Sequence, residues 1–418
     1  MIEDFLHRPW VVAQLHASAL GPDLDALTDE LQSLGYSVAT IQNHLHAAGH
    51  LAYWLTRQRI AVRSLSEATI HQFVERHLPH CRCPIPRASA PDFGGVAPHL
   101  LKVLQARGRI LLPRAPKPTP IEVILQTFTE HMQTDRGAAP TTCERHVREI
   151  RPLLKQTYGT RPFDFSRLTP SVLRTFVAER AARHSARAGR RTASALRNFL
   201  RFLHLQGLSD GFLVHAVPTV RTVRRSTLPI PLTSVQLHQL LTGIDQAKPA
   251  GLRDYAMILC LARLGLRAKE VADLTLDNID WRAGTITIAS SKVRRTSVLP
   301  LPKPVGSAIA VYLRKQRPPT SARQVFVRHF VPVGKPLRSA NVVCAVQKAF
   351  QRTGLNVPSQ GAHTLRHTAA TEMVRAGVSL KAIADVLRHR SIDTTAIYTK
   401  VDLPRLREVA LPWPEVGP

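Results

Sequence analysis

Acidic residues are scarce in this chain. It has 29 Asp and Glu against 57 Lys and Arg over 418 residues, a formal charge of +28, with a pI near 11.1. That imbalance points to a polyanionic partner, rather than a merely basic soluble protein or a membrane-surface binder, because each phosphate neutralised by a cation releases counterions. Long apolar runs are missing as well. No stretch approaches the ~18 residues that a bilayer span requires, so no membrane partner is expected. The first residues, MIEDFLHRPW, are acidic early and lack an apolar run, so a secretory signal is not expected. Cysteine is sparse and odd in number, at 81, 83, 143, 260 and 344, which disfavours a disulfide framework and fits reduced thiols in a cytoplasm. No Walker-type glycine loop and no carboxylate triad stands out, which disfavours nucleotide-driven and metal-dependent chemistry. What is present is apolar material enough for proper cores, 44% of residues, and length for two or three domains.

Two Pro- and Arg-rich stretches, LLPRAPKPTP and VPTVRTVRRSTLPIPLT, interrupt the helical periodicity and divide the chain. The reading is a helical segment at 1–110, a linker at 111–120, a helical bundle at 121–210, a second linker at 211–232, a mixed segment at 233–403 and a tail at 404–418. The fold class is mainly α with a small β-hairpin or sheet in the C-terminal segment, α+β overall. Helices are expected near 121–134, 141–157, 170–183 and 190–206, the third opened by Thr169 before Pro170 and the fourth apolar at 196, 199, 200 and 203. LSEATIHQFVERH (65–77) parallels LTPSVLRTFVAER (168–180), and LLKVLQARG (100–108) parallels FLRFLHLQG (199–207), which leaves two readings of the first segment open, a divergent copy of the second or the ordinary similarity of amphipathic helices. Further on, 252–265 reads as a buried helix stopped by Gly265. GTITIA and TSVLPL read as a hairpin with Lys292 in or beside its turn. Ser379 is placed to cap LKAIADVLRH, and Ser391 to cap a helix carrying Tyr398.

Six residues of the last third carry chemistry: Arg267, Lys292, His363, Arg366, His389 and Tyr398. Phosphoryl transfer builds negative charge on non-bridging oxygens, which arginine's planar fork matches. A phenol is a weak nucleophile unless it is oriented and its charge stabilised. His363 and Arg366 stand three apart at a helix start, so both can face one phosphate beside the positive helix end. Glu270, three after Arg267, reads as an orienting group; His367, beside the motif, is expected to point off the shared face as structural support.

These residues lie in ARLGLRAKEVADLTLDNID (262–280), SSK (290–292), HTLRHTAAT (363–371) and LRHRSIDTTAIYTKVD (387–402). The set resembles the tyrosine recombinase (phage integrase) family, over a catalytic domain of about 230–403 and a core-binding, SAM-like domain in the central bundle. The resemblance implies a site-specific, mobile-element recombinase or integrase. Tyr398 would attack a DNA phosphodiester to give a 3′-phosphotyrosyl link and a 5′-hydroxyl. Arg267 and Arg366 would hold the phosphate oxygens, Lys292 would protonate the leaving oxygen, His363 would assist proton transfer and His389 would donate to the phosphate. It implies double-stranded DNA as partner, a homo-tetramer on paired sites, partner recombinases of the same element, and no metal, ATP or other cofactor. The tail would be an arm docking on a neighbouring protomer. The alternatives are a type IB topoisomerase-like relaxing enzyme and a catalytically inactive DNA-binding regulator.

His77, His80, Cys81 and Cys83 form a further cluster, with His99 as a contributor. Tetrahedral zinc sites usually use C-x2-4-C spacing, whereas only C-x-C is present, so the expectation is a loop with incidental cysteines and no metal.

Overall fold

The computed structural model describes residues 1–84, 90–110, 118–159, 163–221, 230–289, 296–389, 391 and 394–398. The chain divides into two compact units, Met1–Leu112 with Thr227–Pro418, and Pro113–Ser226. Three main apolar clusters occupy residues 2–110, 121–217 and 232–365.

The N-terminal part of the first unit holds α1 (Pro9–His16), α2 (Gly21–Ser33), α3 (Val38–Arg57), α4 (Glu67–Gln72) and α5 (Ala90–Ala106). Ser37 caps α3 and Ser66 caps α4, each accepting a backbone N–H three residues on. In α3 the residues Ile41, Leu45, Ala48, Leu51, Ala52 and Leu55 recur at helical spacing and are buried. Fully buried Asp23 in α2 accepts from Arg107 at 2.8 Å and Arg109 at 3.0 Å, tying α2 to the chain leaving α5. A buried carboxylate is tolerated because it is paired twice. After α4 the chain winds through one π turn, Phe73–His77, and a 3-10 turn, Leu78–His80.

The second unit contains α6 (Pro120–Thr134), α7 (Pro140–Tyr158), α8 (Pro170–Arg183), α9 (Ala186–Leu205) and the short α10 (Leu213–Ala216). Thr119 and Thr169 cap α6 and α8 with proline at the first helical position. Leu196, Phe199, Leu200 and Leu203 of α9 are buried while Arg187, Arg190, Arg191 and Arg201 are exposed, so one face is core and the other basic. Glu149 in α7 is buried and accepts from Thr192 at 2.7 Å and Arg180 at 3.1 Å, joining three helices. The stretch read as a linker from 211 begins as folded structure. It forms α10, Val217 is buried, and Arg197 donates to the carbonyls of Val217 (3.0 Å) and Pro218 (3.1 Å). Proline density marked a break, but side-chain donors from a neighbouring helix satisfy this backbone.

The C-terminal part of the first unit comprises α11 (Ser234–Thr242), α12 (Gly251–Arg263), α13 (Ala268–Asp273), β1 (Ile279–Asp280), β2 (Thr285–Ala289), β3 (Thr296–Pro300), α14 (Lys303–Lys315), α15 (Ser339–Thr353), α16 (Ala362–Arg375) and α17 (Leu380–Leu387). Residues 256–262 of α12 are all buried, as an all-round apolar helix must be, and α14, α15 and α16 pack on it. The expected hairpin gains a third strand, giving an antiparallel order β1-β2-β3 with Ile286 opposite Leu299 on the buried face. Lys292 falls between β2 and β3, outside the described residues, as does the 404–418 tail. Ser379 caps α17 as expected from sequence. Of the stretch expected as a helix after Ser391, the described residues 394–398 form a turn, closed by Tyr398 N–H to Thr395 O at 3.0 Å, and the rest lies outside the described residues. Among the described residues, no helix is long and apolar enough to cross a membrane.

Candidate active site

The break after α12 sets the first position. Gly265 has φ +60°, which glycine adopts freely, and a Cβ there would sit 2.6 Å from Leu387 Cδ2. This turn points the Gly265 carbonyl toward α16 and makes Arg267 the residue that opens α13. Arg267 donates through its backbone N–H and Nη1 to the two oxygens of Glu270, at 2.8 and 2.7 Å.

The second anchor is the end of α17. Terminal helix carbonyls lack intrahelical donors, and here arginines supply them. Arg366, 3% exposed, donates to the carbonyls of Leu387 and Gly265; Arg267 Nη2 donates to the carbonyl of Arg388 at 3.1 Å. Arg388 itself is left-handed at φ +53° and returns its side chain to Glu270, at 2.8 and 3.3 Å. Glu270 is thus held between two guanidiniums. Burial would raise its pKa, but Arg388, the Arg267 backbone N–H and both side-chain bonds outweigh that and hold it below the usual carboxylate range. Burial, with the charge of Arg267 adding, lowers Arg366 to about 10, which leaves it protonated at neutral pH.

The third element is α16, which carries His363, Arg366 and His367. His367 Nδ1 lies 2.8 Å from the Tyr398 hydroxyl. This corrects the expectation that His367 points off the face: residues four apart on a helix are neighbours, and its ring lies 6.4 Å from that of His363. Tyr398 is 1% exposed and packs with Ala370, Val374, Ile383 and Leu387. The His389 ring runs nearly parallel to it, centroids 6.5 Å apart, and is oriented by a 2.7 Å hydrogen bond between Nδ1 and the Thr395 hydroxyl.

Burial lowers all three imidazoles. His363 is lowered further by Arg366 and Arg267, His367 by His363 and Arg366, and His389 goes down to about 4 with help from Arg366, Arg267 and Arg388. They therefore favour the neutral form at pH 7, and in the tautomer protonated at Nε2 the Nδ1 of His367 accepts the phenol's hydrogen bond. Burial raises the Tyr398 pKa, and the charge of Arg366 opposes that rise. A neutral base on the phenol beside two fixed guanidiniums is an arrangement for making an oxyanion nucleophile and stabilising a second anion next to it.

Of the residues singled out from sequence, Arg267, Glu270, His363, Arg366, His389 and Tyr398 come together; Lys292 lies outside the described residues. Sequence reasoning misjudged His367 and missed Arg388 and Thr395. The HxxRH spacing held the signal for His367, while Arg388 meets Glu270 across 118 residues and leaves no local pattern. The histidine and cysteine cluster also differs. His80 is exposed, and His99 Nε2 lies 3.0 Å from the Tyr36 hydroxyl. His50 from α3 joins His77, Cys81 and Cys83 instead.

Comparison with known proteins places these residues in context. The model described as the phage integrase family matches residues 231–404, and that of its N-terminal SAM-like domain matches 125–207. A protein of Sinorhizobium fredii, provisionally named integrase/recombinase y4rA, is 34% identical over 384 residues, 91% of each chain. Tyrosine recombinase XerC of Oceanobacillus iheyensis is 27% identical over 296 residues, 69% of this chain and 94% of that one. Among solved structures, the XerH site-specific recombinase bound to difH substrate, in its pre-cleavage complex, superposes with a TM-score of 0.55 at 20% identity, over 72% of this chain and 99% of that one.

Proposed function

The chain belongs to the phage integrase family, and from that membership we propose that it cuts and rejoins DNA strands at specific sites through a covalent link to Tyr398. The phenol oxygen attacks the scissile phosphorus, the bond from phosphorus to the 5′-oxygen breaks, and the 3′-phosphate remains on Tyr398. His367, with His363 nearby, takes the phenol proton, and the departing 5′-oxygen leaves as a hydroxyl. Lys292 supplies that proton in this reading. Arg267 and Arg366 hold the non-bridging oxygens as their charge grows, the role for which rigid donors are worth most. His389, neutral at pH 7, donates one N–H to the phosphate. Attack by another 5′-hydroxyl reverses the step and restores the phosphodiester, so the bond energy is retained and no metal or nucleotide is consumed.

The observation that carries this reading is the 2.8 Å contact between Tyr398 and His367, one turn along α16 from His363 and beside the buried guanidinium of Arg366. The partner is double-stranded DNA, supported by the excess of basic side chains and by the DNA-bound relative. We assign the working form as a homo-tetramer on paired sites, acting alone or with partner recombinases of its element. The 1% exposure of Tyr398 means that the phenol has to be uncovered as DNA engages. Trapping on a nicked suicide substrate drawn from DNA flanking the gene tests the whole scheme. A protein–DNA adduct on the 3′ side, mapped to Tyr398, is expected; an adduct on the 5′ side or at another residue overturns it.

A further inference from the structure

The molecule holds a second cluster of reactive side chains, in its N-terminal part and apart from the site just described. His50 comes from the middle of α3; His77, Cys81 and Cys83 come from the π turn and the extended chain after it. Their four ligand atoms lie within 4.8 Å of one another. His50 Nε2 is 3.3 Å from His77 Nε2 and 3.2 Å from Cys81 Sγ, and Cys83 Sγ is 3.5 Å from His77 Nε2.

Two of these separations, His50 to His77 and His77 to Cys83, fall at the edges of a tetrahedron around one ion, and the His50 to Cys81 edge is shorter by a few tenths of an ångström. With zinc–nitrogen bonds near 2.05 Å and zinc–sulfur bonds near 2.3 Å, tetrahedral angles put two nitrogens about 3.3 Å apart and nitrogen and sulfur about 3.6 Å apart. Two nitrogens and two sulfurs are also the donor set that this ion prefers, and two thiolates with two neutral imidazoles cancel its charge. A neutral site can be buried, and His50 (1% exposed) and Cys81 (2%) are. The surroundings are apolar and aromatic: Phe73 stacks on His77 and meets His50 edge-on, each with centroids 5.3 Å apart, and Trp54 lies 5.9 Å from His77.

The backbone accounts for the convergence. His77 and Cys83 are six residues apart, which on a regular helix is about 240° of rotation and puts them on different faces. The π turn at Phe73–His77 followed by the 3-10 turn reorients the chain so that both aim at α3. Single π turns inside helices recur at functional sites. C-x-C spacing alone did not indicate a site because the fourth ligand stands 27 residues before His77.

We propose that His50, His77, Cys81 and Cys83 bind one zinc ion as a closed, four-ligand structural site that fastens α3 to the segment after α4. Binding displaces the two thiol protons, and the metal makes four bonds to protein, which leaves no open position for catalysis.

The test uses the full-length protein, purified without chelator and dialysed exhaustively. Elemental analysis should find about one zinc per chain, falling at least about tenfold in Cys83→Ser and His77→Ala while Cys344→Ser, at an exposed cysteine outside the cluster, keeps it. Because a ligand variant can fail to fold, the wild-type protein is also exchanged with cobalt. Intense ligand-field bands and thiolate charge transfer of a tetrahedral S2N2 site are expected. Zinc at background in the wild type, equal zinc in Cys83→Ser, an octahedral cobalt spectrum, another metal held in place of zinc, or a Cys81–Cys83 disulfide without metal would each overturn the assignment.

Discussion

The hydroxyl of Tyr398 is hydrogen-bonded to Nδ1 of His367, 2.8 Å away, with the phenol buried and the imidazole half-buried. The partner of the phenol is therefore a neutral base on α16, set there by the same helix that carries His363 and Arg366.

Two substitutions separate nucleophile from base. Tyr398→Phe keeps the buried ring and should abolish covalent adducts on suicide DNA while gel-shift affinity stays near wild type. His367→Ala should retain adduct formation slowed by roughly 10²-fold, within the range of a lost general base. Unchanged single-turnover rates in His367→Ala would remove it from proton transfer.

Arg366 is held by two backbone carbonyls, and its geometry depends on the guanidinium fork. Arg366→Lys keeps the charge but cannot span the carbonyls of Gly265 and Leu387 while facing a phosphate. Cleavage should fall by about 10²–10³-fold, the scale of a lost oxyanion donor. Wild-type cleavage by this variant would show that charge alone suffices.

Glu270 joins Arg267 to Arg388, so Glu270→Gln should destabilise the first unit by about 3–5 kcal/mol, the usual cost of breaking a buried ion pair. Its carboxyl is held below the ordinary value, so its stabilisation is complete above the unfolded pKa and is lost as pH falls through the folded one. His389 acts at higher pH. With its pKa lowered from 6.5 to about 4, its contribution is complete above 6.5 and drains away between 6.5 and about 4, as the unfolded chain takes up the proton first. Thermal melts should therefore fall over that window, and His389→Gln should flatten the slope there. A slope unaltered by the substitution would assign the acid sensitivity elsewhere.

Gly265 occupies φ +60° with Leu387 against the place of a Cβ. Gly265→Ala should destabilise by about 1–3 kcal/mol and disturb the carbonyl that holds Arg366. Chemical denaturation with a parallel adduct assay measures both effects. Loss of stability without loss of cleavage would show that Arg366 is held mainly from Leu387.

Binding should weaken steeply with salt, because contacts between basic side chains and phosphates release counterions. Affinity measured over a salt titration reads this directly, and a flat response would contradict the scarcity of acid as the basis of DNA affinity.

What the sequence determined by itself is local in origin. Helical period and capping residues located α6 to α9, α12, α16 and α17, since apolar repeats and Ser or Thr caps act within one turn. The spacing in HTLRHTAAT put His363 and Arg366 on one face, and the LGLR turn placed Arg267 beside a helix break. The tertiary structure alone decided which distant groups meet. Arg388 reaching Glu270, the carbonyls of Gly265 and Leu387 receiving Arg366, and His50 completing a ring with His77, Cys81 and Cys83 are contacts between elements. Such pairings follow from how whole helices pack, and no short-range periodicity records them.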